Sequence, residues 1–537
     1  FWLKGDAWLA RSIGALFGMS YKQDDVDVPV SVFLELFLTR KEKDVFSTWN
    51  EQERDLSISG FIIGPITNWI AKFVPKSVAP NVLTIAGVLA IMQAWWFCEE
   101  YSDDHPRIVA AASVLSIIVF WVLGRVDGKH ARRIMNDTPL GELFKYVTDT
   151  IGTNFLVVLM CRLLLETEDL DKMWYCVQTM QLVMLLKHWS AFNRHAGMRY
   201  LFVGPGELMT IATCLLIVRA VFGIEPFFWW YDFTWGLACS VASERFGLDA
   251  NSYVGSMNPA RAAYLSIFYI TIFRIGTSSR RDHSWTRKSL VFILLLRGLS
   301  AIMRLDMLIG AKTTQKDVIF DGLFWSMVTS DLIVAKMADR QIHVWVVLMA
   351  TTVVVPHLQF LILCFVCVYY VAVFGDIMNH LNMPLLQSCK NVYCDGIYDL
   401  CHIGHKNLFR HALSYGNRLF VGVIGDEDAN NYKRPPIMSA AEREAEVSNC
   451  KCVSKVIRNA PCFGLTEEFI RKHQIHVVAF GQEYLDRYPN PDDDPYYKVP
   501  RKNGIAIPMP RTQSLSTSDL IRRIQNEDVI LEKKSAT

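Results

Sequence analysis

Long apolar runs are the feature that most constrains the fold of this chain. Up to about residue 375 the hydrophobic residues come in runs of about 15 to 20, and after about residue 390 they come as short runs among charged residues. A helix needs about 20 consecutive apolar residues to cross a bilayer. The sequence therefore predicts a membrane half followed by a soluble half, and the share of hydrophobic residues, 51% of 537, is in keeping with this division.

The membrane half is predicted to hold about ten transmembrane helices within a domain that spans residues 57–375. Residues 1–56 are predicted to form an amphipathic, interfacial segment. Within it, residues 1–20 place aromatic and basic side chains at helical spacing, which is typical of an interfacial helix or of an ordinary packed helix. A linker is predicted at 376–388. The spans are predicted near residues 82–98, 107–123, 146–166, 172–190, 206–222, 262–276, 288–306, 317–337, 343–355 and 357–375.

The soluble half, residues 389–537, alternates between two kinds of segment. Strands are predicted at "NVYCDG", "RLFVGVIG", "VSKVIRNA" and "IHVVAFG", and helices at "HKNLFRHALSYG", "AAEREAEVSNC", "TEEFIRKHQ" and "STSDLIRRIQ". This alternation predicts a Rossmann-like α/β domain with a mostly parallel sheet covered on both faces. Ligands of such sheets bind beyond the carboxyl ends of the strands.

Charge and cysteine content narrow the partners and the compartment. A net charge of +2 gives no electrostatic reason to expect a nucleic-acid partner. The 13 cysteines are scattered and suggest no disulfide framework, so the soluble half is expected in the cytosol.

Two histidines flank a glycine where the first soluble strand gives way to a helix. They are His402 and His405, with Gly404 between them. A helix N-terminus offers free N–H groups to a phosphate, and glycine lets that phosphate approach the backbone. Two imidazoles there can donate hydrogen bonds to a phosphoryl group as charge develops on it. Isolated histidines would more often be surface residues, but the strand–loop–helix context favours phosphate chemistry.

A second candidate phosphate site lies near the end of the chain. Arg511 precedes a run of hydroxyl-bearing residues that leads into the last helix. An arginine with hydroxyls suits the outer phosphates of a triphosphate. Alone, the same run would be an ordinary capped helix start.

The motifs "VYCDGIYDLCHIGH", "KVIRNAP" and "RTQSLSTSDLIRRI" resemble those of the CTP:phosphocholine and CTP:phosphoethanolamine cytidylyltransferases. The resemblance covers about residues 389–530. It implies that CTP and a phosphoalcohol give a CDP-alcohol and pyrophosphate, with Mg²⁺ arriving with CTP and no metal ligated by the soluble domain. The implied catalytic residues are His402, His405, Lys433 and Arg511. The implied CTP contacts are Gly404, Thr512, Ser516 and Thr517, and the implied phosphoalcohol contacts are Asp395 and Tyr484.

This chain departs from the resembled family at two places. Gln513, Ser514 and Leu515 stand where the family usually has Glu-Gly-Ile. Choline-specific members have a tryptophan after "NAP" that can cage a quaternary ammonium, whereas this chain has Cys462 and then Phe463. Ethanolamine-specific members usually have two tandem catalytic domains, and this chain has one. The choice between phosphocholine and phosphoethanolamine therefore stays open, with a slight preference for phosphoethanolamine.

In the membrane half, "SVAPNVLTIAG" followed by "DGKHARR…PLGELF…D" resembles the choline/ethanolamine phosphotransferases of the CDP-alcohol phosphatidyltransferase family. That family transfers a phosphoalcohol from its CDP ester to diacylglycerol. Its motif is D-x2-D-G-x2-A-R-x8-G-x3-D-x3-D, whose four aspartates hold two divalent metals. The positions that correspond in this chain are Gly124, Asp127, Gly128, Ala131, Arg132, Gly141, Lys145 and Asp149.

The first and third aspartates of that motif are missing. Gly124 has no ligand atom, and Lys145 has a cation with no acceptor. Two carboxylates are a poor site for two dications. The motif is therefore predicted to be degenerate and the membrane domain to be an inactive, pseudoenzyme form. Its small residues would still allow a CDP-alcohol to bind, or close helix packing alone could explain them. Lys145 and Asp149 could also form a structural ion pair.

Three hypotheses follow. The first is a membrane-anchored cytidylyltransferase with an inactive phosphotransferase-like half. The second is a bifunctional enzyme that also transfers the phosphoalcohol to diacylglycerol, and the third is a non-enzymatic scaffold or CDP-alcohol sensor. Gly124 and Lys145 argue against the second, and the intact histidine motif argues against the third. Membrane lipid is an expected partner, a homodimer is expected because both resembled families are typically dimeric, and the expected location is the endoplasmic reticulum membrane with the catalytic domain facing the cytosol.

Overall fold

The structure is a computed structural model that describes residues 36–49, 54–165, 169–194, 198–200, 204–227, 240, 259–278, 284–306, 314–354, 359–432, 435–510 and 516–525. Most of the predicted interfacial segment lies outside the described residues. The chain divides into two compact units. One comprises the chain up to Ala131 together with Asp137–His380, and the other comprises Arg132–Asn136 together with Leu381–Thr537.

The first unit is helical, apart from a two-residue parallel pairing of β1 (Arg54–Asp55) with β2 (Arg199–Tyr200). Its helices are α1 (Arg40–Ser47), α2 (Ile58–Phe73), α3 (Pro80–Tyr101), α4 (Pro106–Arg133), α5 (Pro139–Leu165), α6 (Leu170–Arg194), α7 (Pro205–Phe222), α8 (Pro259–Gly276), α9 (Ser284–Asp306), α10 (Gln315–Met337), α11 (Val344–Met349) and α12 (Gln359–Leu381).

Local signals set several helix starts. Proline occupies the first turn of α3 and of α7, where its missing N–H has no intrahelical partner to lose. Thr314 and Asp317 form a reciprocal capping box at the start of α10.

Nine of the ten predicted spans coincide with helices of 18 residues or more. The segment near 343–355 does not: it forms the six-residue helix α11 and then a 3-10 turn at Ala350–Val354. That is too short for a hydrocarbon core of about 30 Å, so the prediction of a span there is wrong and the predicted count of ten spans is not confirmed. Six described helices are long and apolar enough to cross a membrane: Pro80–Tyr101, Pro106–Arg133, Pro139–Leu164, Pro205–Phe222, Gln315–Met337 and Phe360–Leu381.

Helix α10 is buried along almost its whole length and carries two buried carboxylates that form ion pairs, Asp321 and Asp331. Asp321 accepts hydrogen bonds from Arg297 at 2.8 Å and from Trp174 Nε1 at 2.9 Å. Asp331 accepts from Arg340 and from the Tyr369 hydroxyl. Each buried carboxylate therefore has a cation and a second donor, which compensates for the cost of removing it from water.

The second unit is a five-stranded parallel sheet of β3 (Asn391–Gly396), β4 (Arg418–Ile424), β5 (Lys455–Ala460), β6 (Val477–Gly481) and β7 (Ala506–Met509), in the order β5-β4-β3-β6-β7. The helices are α13 (Ile403–Leu413), α14 (Asp426–Tyr432), α15 (Ala440–Ser448), α16 (Glu467–Lys472), α17 (Gln482–Arg487), α18 (Lys498–Lys502) and α19 (517–525), with a 3-10 turn at Pro491–Asp493.

All four predicted strands and four predicted helices of this domain are present, so the prediction of a parallel α/β fold is confirmed. The sequence missed β7, whose four residues include Pro508. Proline cannot donate to a ladder, so it argues against a central strand, but β7 is an edge strand and tolerates it. Helix α12 also continues to Leu381, so the first part of the predicted linker is helical.

Apolar side chains cover both faces of this sheet. Along β3, Val392 and Cys394 pack with Phe409 on one face, while Tyr393 packs with Ile470 on the other. Strands buried on both faces read as continuous apolar runs, as "VYC" does here.

Candidate active site

The candidate site lies where the strand order reverses. β3 pairs with β4 on one side and with β6 on the other, so connections leave β3 and β6 in opposite directions. This leaves a crevice outside their carboxyl ends. A cavity of about 560 Å³ occupies this place and is lined by Asp395 and Gly396 from β3 and by Gly481 from β6.

The two predicted histidines stand together at the start of α13. The His402 ring caps the helix, because its Nδ1 accepts a hydrogen bond from the Gly404 N–H at 3.1 Å. The ring stacks on that of His405 with centroids 3.9 Å apart. Burial lowers the pKa of His402, so its ring is neutral at neutral pH. Since Nδ1 accepts, the proton is on Nε2.

His402 Nε2 forms no hydrogen bond with any residue that the structure describes. His402 also lines the cavity. A buried donor without a partner is costly, so such a group points to a ligand or to solvent. Its chemistry suits a phosphoryl oxygen.

The loop between β3 and α13 is held in an unusual backbone conformation. Tyr398 and Leu400 have left-handed φ values of 55° and 50°, which non-glycine residues rarely adopt. Tyr398 is buried with its ring edge-on to His405 and Phe409. The Asp399 side chain accepts hydrogen bonds from backbone N–H groups after α14. These contacts fix the histidines, and such strain is common at functional sites.

Arg443 on α15 is a residue that sequence reasoning missed. Its side chain is fully buried. It donates to the Ile397 carbonyl at 2.7 Å, to the Ile424 carbonyl at 2.8 Å and to Asp426 at 2.6 Å. Arg443 therefore ties the ends of β3 and β4 together beneath the loop. In the sequence it is one charge among several in "AAEREAEVS", so no local signal distinguishes it.

A carboxyl group and several aromatic rings form the other side of the cavity. Burial raises the pKa of Asp395 to about 6, although the Tyr497 hydroxyl donates to it at 2.7 Å and opposes that rise. Tyr484 packs against Tyr496 and Tyr497 with centroids 5.1 and 5.2 Å away. Phe463 stacks on Tyr496. An acid beside aromatic faces can receive a cationic amine.

The cavity brings together most of the predicted residues of the soluble half. Lys433, Arg511 and Thr512 lie outside the described residues. Thr517 donates through its hydroxyl to the Asp399 carbonyl at 3.2 Å, and Ser516 caps α19 through Asp519. The predicted residues that line the cavity are Asp395, His402, Gly404, His405, Tyr484, Ser516 and Thr517. Their individual roles stay predictions.

The degenerate motif of the membrane half has a different geometry. A Cβ added at Gly124 or Gly128 would meet nothing within 4 Å. Asp127 is buried, and its carboxylate accepts from the Thr84 hydroxyl at 2.7 Å and from the Gly128 N–H. Of the remaining motif residues, Ala131 is buried and Arg132 is exposed near the end of α4, while Gly141, Lys145 and Asp149 are partly buried in the first half of α5.

These residues do not fit the two-metal site of the resembled family. Gly124 and Lys145 offer no ligand, and both oxygens of Asp127 already accept hydrogen bonds within the protein. Across the part of the chain that the structure describes, no group of three or more His, Cys, Asp or Glu side chains could hold a metal ion. The motif therefore lacks the carboxylates that a two-metal site needs.

Lys336, near the end of α10, is a buried cation close to the first turns of α5, which also contains the cation Lys145. Its ammonium lies 4.8 Å from the centroid of the Trp49 ring and 5.6 Å from that of Tyr146, which follows Lys145. Trp49 also donates to Glu142 at 2.9 Å. Trp49, which precedes α2, therefore packs on the first turn of α5, the helix that contains Gly141, Lys145 and Asp149.

Comparisons with known proteins find one matching family model in each half. Residues 77–242 match the model of the CDP-alcohol phosphatidyltransferase family, and residues 393–523 match that of the cytidylyltransferase-like family. Choline-phosphate cytidylyltransferase A of Rattus norvegicus is 40% identical over 160 residues, which cover 27% of this chain and 41% of that protein.

Two further relatives match the same region. Ethanolamine-phosphate cytidylyltransferase of Dictyostelium discoideum is 35% identical over 137 residues, which cover 25% of this chain and 38% of that protein. Probable choline-phosphate cytidylyltransferase of Schizosaccharomyces pombe is 38% identical over 146 residues, covering 27% and 39%. The chain spans about two fifths of the length of these relatives. Both resemblances read from the sequence are confirmed at the level of the two domains.

Proposed function

We propose that residues 389–537 transfer the cytidylyl group of CTP to phosphocholine or phosphoethanolamine, in phospholipid synthesis. The observation that carries the proposal is one cavity that holds an imidazole donor, His402 Nε2, with no hydrogen-bond partner among the described residues, together with a partly buried carboxyl group, Asp395. The first group suits a phosphoryl oxygen and the second suits an amino-alcohol. The relatives that match this region are choline- and ethanolamine-phosphate cytidylyltransferases.

In this reaction an oxygen of the phosphoalcohol attacks the α-phosphorus of CTP, and the bond to the bridging oxygen breaks to release pyrophosphate. Positioning and charge stabilisation supply most of the catalysis of such transfers. His402 and His405 hydrogen-bond to the α-phosphate oxygens, next to the N–H groups at the start of α13. Mg²⁺ that is bound to CTP offsets the charge of the triphosphate. Lys433, Arg511 and Thr512 are proposed to hold its phosphates.

The amino-alcohol is proposed to bind between Asp395 and the aromatic rings of Tyr484 and Tyr496. A primary ammonium can donate hydrogen bonds to a carboxylate, whereas a quaternary ammonium relies on ring faces. Asp395 is present, while Cys462 provides no ring at the position where the choline-specific motif has tryptophan. This difference supports phosphoethanolamine as the preferred substrate.

The membrane half is proposed to anchor this enzyme in the endoplasmic reticulum membrane as a homodimer, without a transfer reaction of its own. The support is chemical: Gly124 and Lys145 supply no metal ligand, and Asp127 is engaged by Thr84 and Gly128. CTP is cytosolic, so the soluble half would face the cytosol.

The test uses the full chain in lipid nanodiscs that contain diacylglycerol. It is given Mg²⁺, labelled CTP, and phosphocholine or phosphoethanolamine in parallel reactions. CDP-alcohol, CMP and new phospholipid are then separated and counted. The expected result is accumulation of CDP-alcohol without CMP or phospholipid, faster with phosphoethanolamine.

The other outcomes are equally informative. CMP and phospholipid appearing together would support the bifunctional hypothesis and overturn the pseudoenzyme proposal. No CDP-alcohol from either substrate would overturn the proposed activity and leave the scaffold or sensor hypothesis.

A further inference from the structure

Cations gather at the amino end of the soluble sheet, the end opposite the cavity. Arg418 is the first residue of β4, Lys455 is the first residue of β5, and Lys390 directly precedes β3. Parallel neighbours bring their amino ends to the same edge of a sheet. The catalytic proposal uses none of these residues.

Arg418 is the buried member of this group. Only 6% of its surface is exposed, and its Nη2 donates to the Leu381 carbonyl at 3.1 Å. Its Nε is buried and has no hydrogen-bond partner among the described residues. The guanidinium lies 5.0 Å from the centroid of the Phe420 ring. A buried arginine normally meets a carboxylate, and none of the described carboxylates lies within ion-pair distance of this one.

Lys455 is a second cation over the same ring. Its ammonium lies 5.8 Å from the centroid of the Phe420 ring, and Lys455 belongs to β5, which is an edge strand of the sheet. Partial burial, and then the charge of Arg418, lower the pKa of Lys455. The charges of Lys455 and Lys472 add to burial in lowering the pKa of His473. Like charges held this close repel one another, and an anion between them would relieve that cost.

We infer that the cations Arg418 and Lys455, with the neutral imidazole of His473 as a further hydrogen-bonding group, bind the phosphate group of an anionic ligand; these three residues are here called the basic cluster. A guanidinium matches two phosphate oxygens at once, and an ammonium adds a point charge beside it. The backbone suggests where such a phosphate would come from. Arg418 bonds to Leu381, the last residue of a helix that is long and apolar enough to cross a membrane. A lipid phosphate monoester and a soluble phosphate ester offer the same group. This inference is independent of the proposed reaction.

The experiment measures retention of labelled phosphatidate by the full chain in nanodiscs of otherwise zwitterionic lipid. Lys455 is exposed, so Lys455→Gln and Lys455→Glu should fold as the parent does, which thermal unfolding checks. One lysine near an anionic headgroup is worth about fivefold in affinity. We expect the dissociation constant to rise about that much for K455Q and further for K455E. The control is Lys406→Gln, an exposed lysine that pairs with Glu446 and lies outside the cluster, and it should leave retention unchanged.

Inorganic phosphate, added in excess, separates the two sources. Retention that depends on Lys455 and resists inorganic phosphate would support a lipid headgroup. If inorganic phosphate displaces phosphatidate, and binds by itself to the wild-type chain more tightly than to K455E, a soluble phosphate ester is the ligand. Equal retention of both probes by wild type and K455E would overturn the inference.

Discussion

The soluble cavity and the membrane motif differ in how many of the groups needed for phosphoryl transfer they contain. In the soluble half, groups from separate elements converge: His402 from the start of α13, Asp395 from the end of β3, and Thr517 from α19. In the membrane half the small residues of the motif are present, but two of its four carboxylate positions hold Gly124 and Lys145. Helix packing depends on the small residues, whereas only the metal chemistry depends on the carboxylates. The membrane half can therefore keep its helix packing although its motif lacks two of the four carboxylates.

The largest expected effect is on the rate of CDP-alcohol formation after substitution of His402 in the soluble half. His402→Ala should lower the rate of CDP-alcohol formation about 10²- to 10³-fold, because it removes a donor aimed at the developing charge. His402→Asn preserves an N-cap acceptor and should be similarly slow. The matched control is His411→Ala, an exposed histidine on the same helix, which should stay near the wild-type rate. Wild-type turnover by H402A would remove the basis of the proposed mechanism.

Next in size is the effect of the Asp395 carboxyl group. Asp395→Asn should lower kcat/KM for the phosphoalcohol about tenfold or more, because a charge-assisted contact is lost. The pKa of Asp395 is about 6, above its ordinary value. The carboxylate that binds the amine therefore forms as pH rises through about 6, so kcat/KM should rise over that range in wild type and not in D395N.

The contribution of Asp395 to folding stability changes with pH in the opposite direction. A raised pKa means that the folded state holds this proton more tightly than the unfolded state. The stabilising contribution is greatest below the ordinary pKa of an aspartate and is lost as pH rises through about 6.

Tyr497→Phe removes a donor to the Asp395 carboxylate and should move the midpoint of the pH dependence of kcat/KM upward. Tyr488→Phe, which does not bond to Asp395, should leave that midpoint in place. An unmoved midpoint in Y497F would count against Asp395 as its origin.

A smaller effect is expected on substrate preference. Cys462→Trp adds an aromatic face to the cavity wall and should raise the preference for phosphocholine over phosphoethanolamine about three- to tenfold. Cys462→Leu is the control, since it adds bulk without a ring face. The ratio of kcat/KM for the two substrates measures the effect. A similar shift in both variants would assign it to volume alone.

The smallest expected effect is in the membrane motif. Asp127→Ala should leave CDP-alcohol formation within about twofold of wild type, in contrast to D395N. It should still lower the thermal stability of the membrane half, because the Thr84 hydroxyl and the Gly128 N–H lose their acceptor. Thr84→Val should destabilise in a similar way. A large loss of activity in D127A would mean that the membrane half takes part in the reaction.

Much of the soluble domain could be predicted because its signals are local. The apolar run "VYC" in β3 and the helix start at His402 are each specified by a few neighbouring residues. β7 was missed because Pro508 argues against a strand, and only its edge position resolves that conflict. The segment at 343–355 was misjudged because apolar composition alone does not fix helix length.

The sequence by itself determined the two-part architecture, the family that each half resembles and the absence of two ligands from the membrane motif, since each depends on residue identity or on short-range periodicity. Only the tertiary structure decided how the soluble site is supported. The buried side chain of Arg443 links strand ends that are far apart in the chain, and the Tyr497 hydroxyl reaches Asp395 across 102 positions. The cation pair over Phe420 likewise exists only after β4 and β5 pair. Such contacts join residues that are far apart in the chain, so they cannot be inferred from short segments of the sequence.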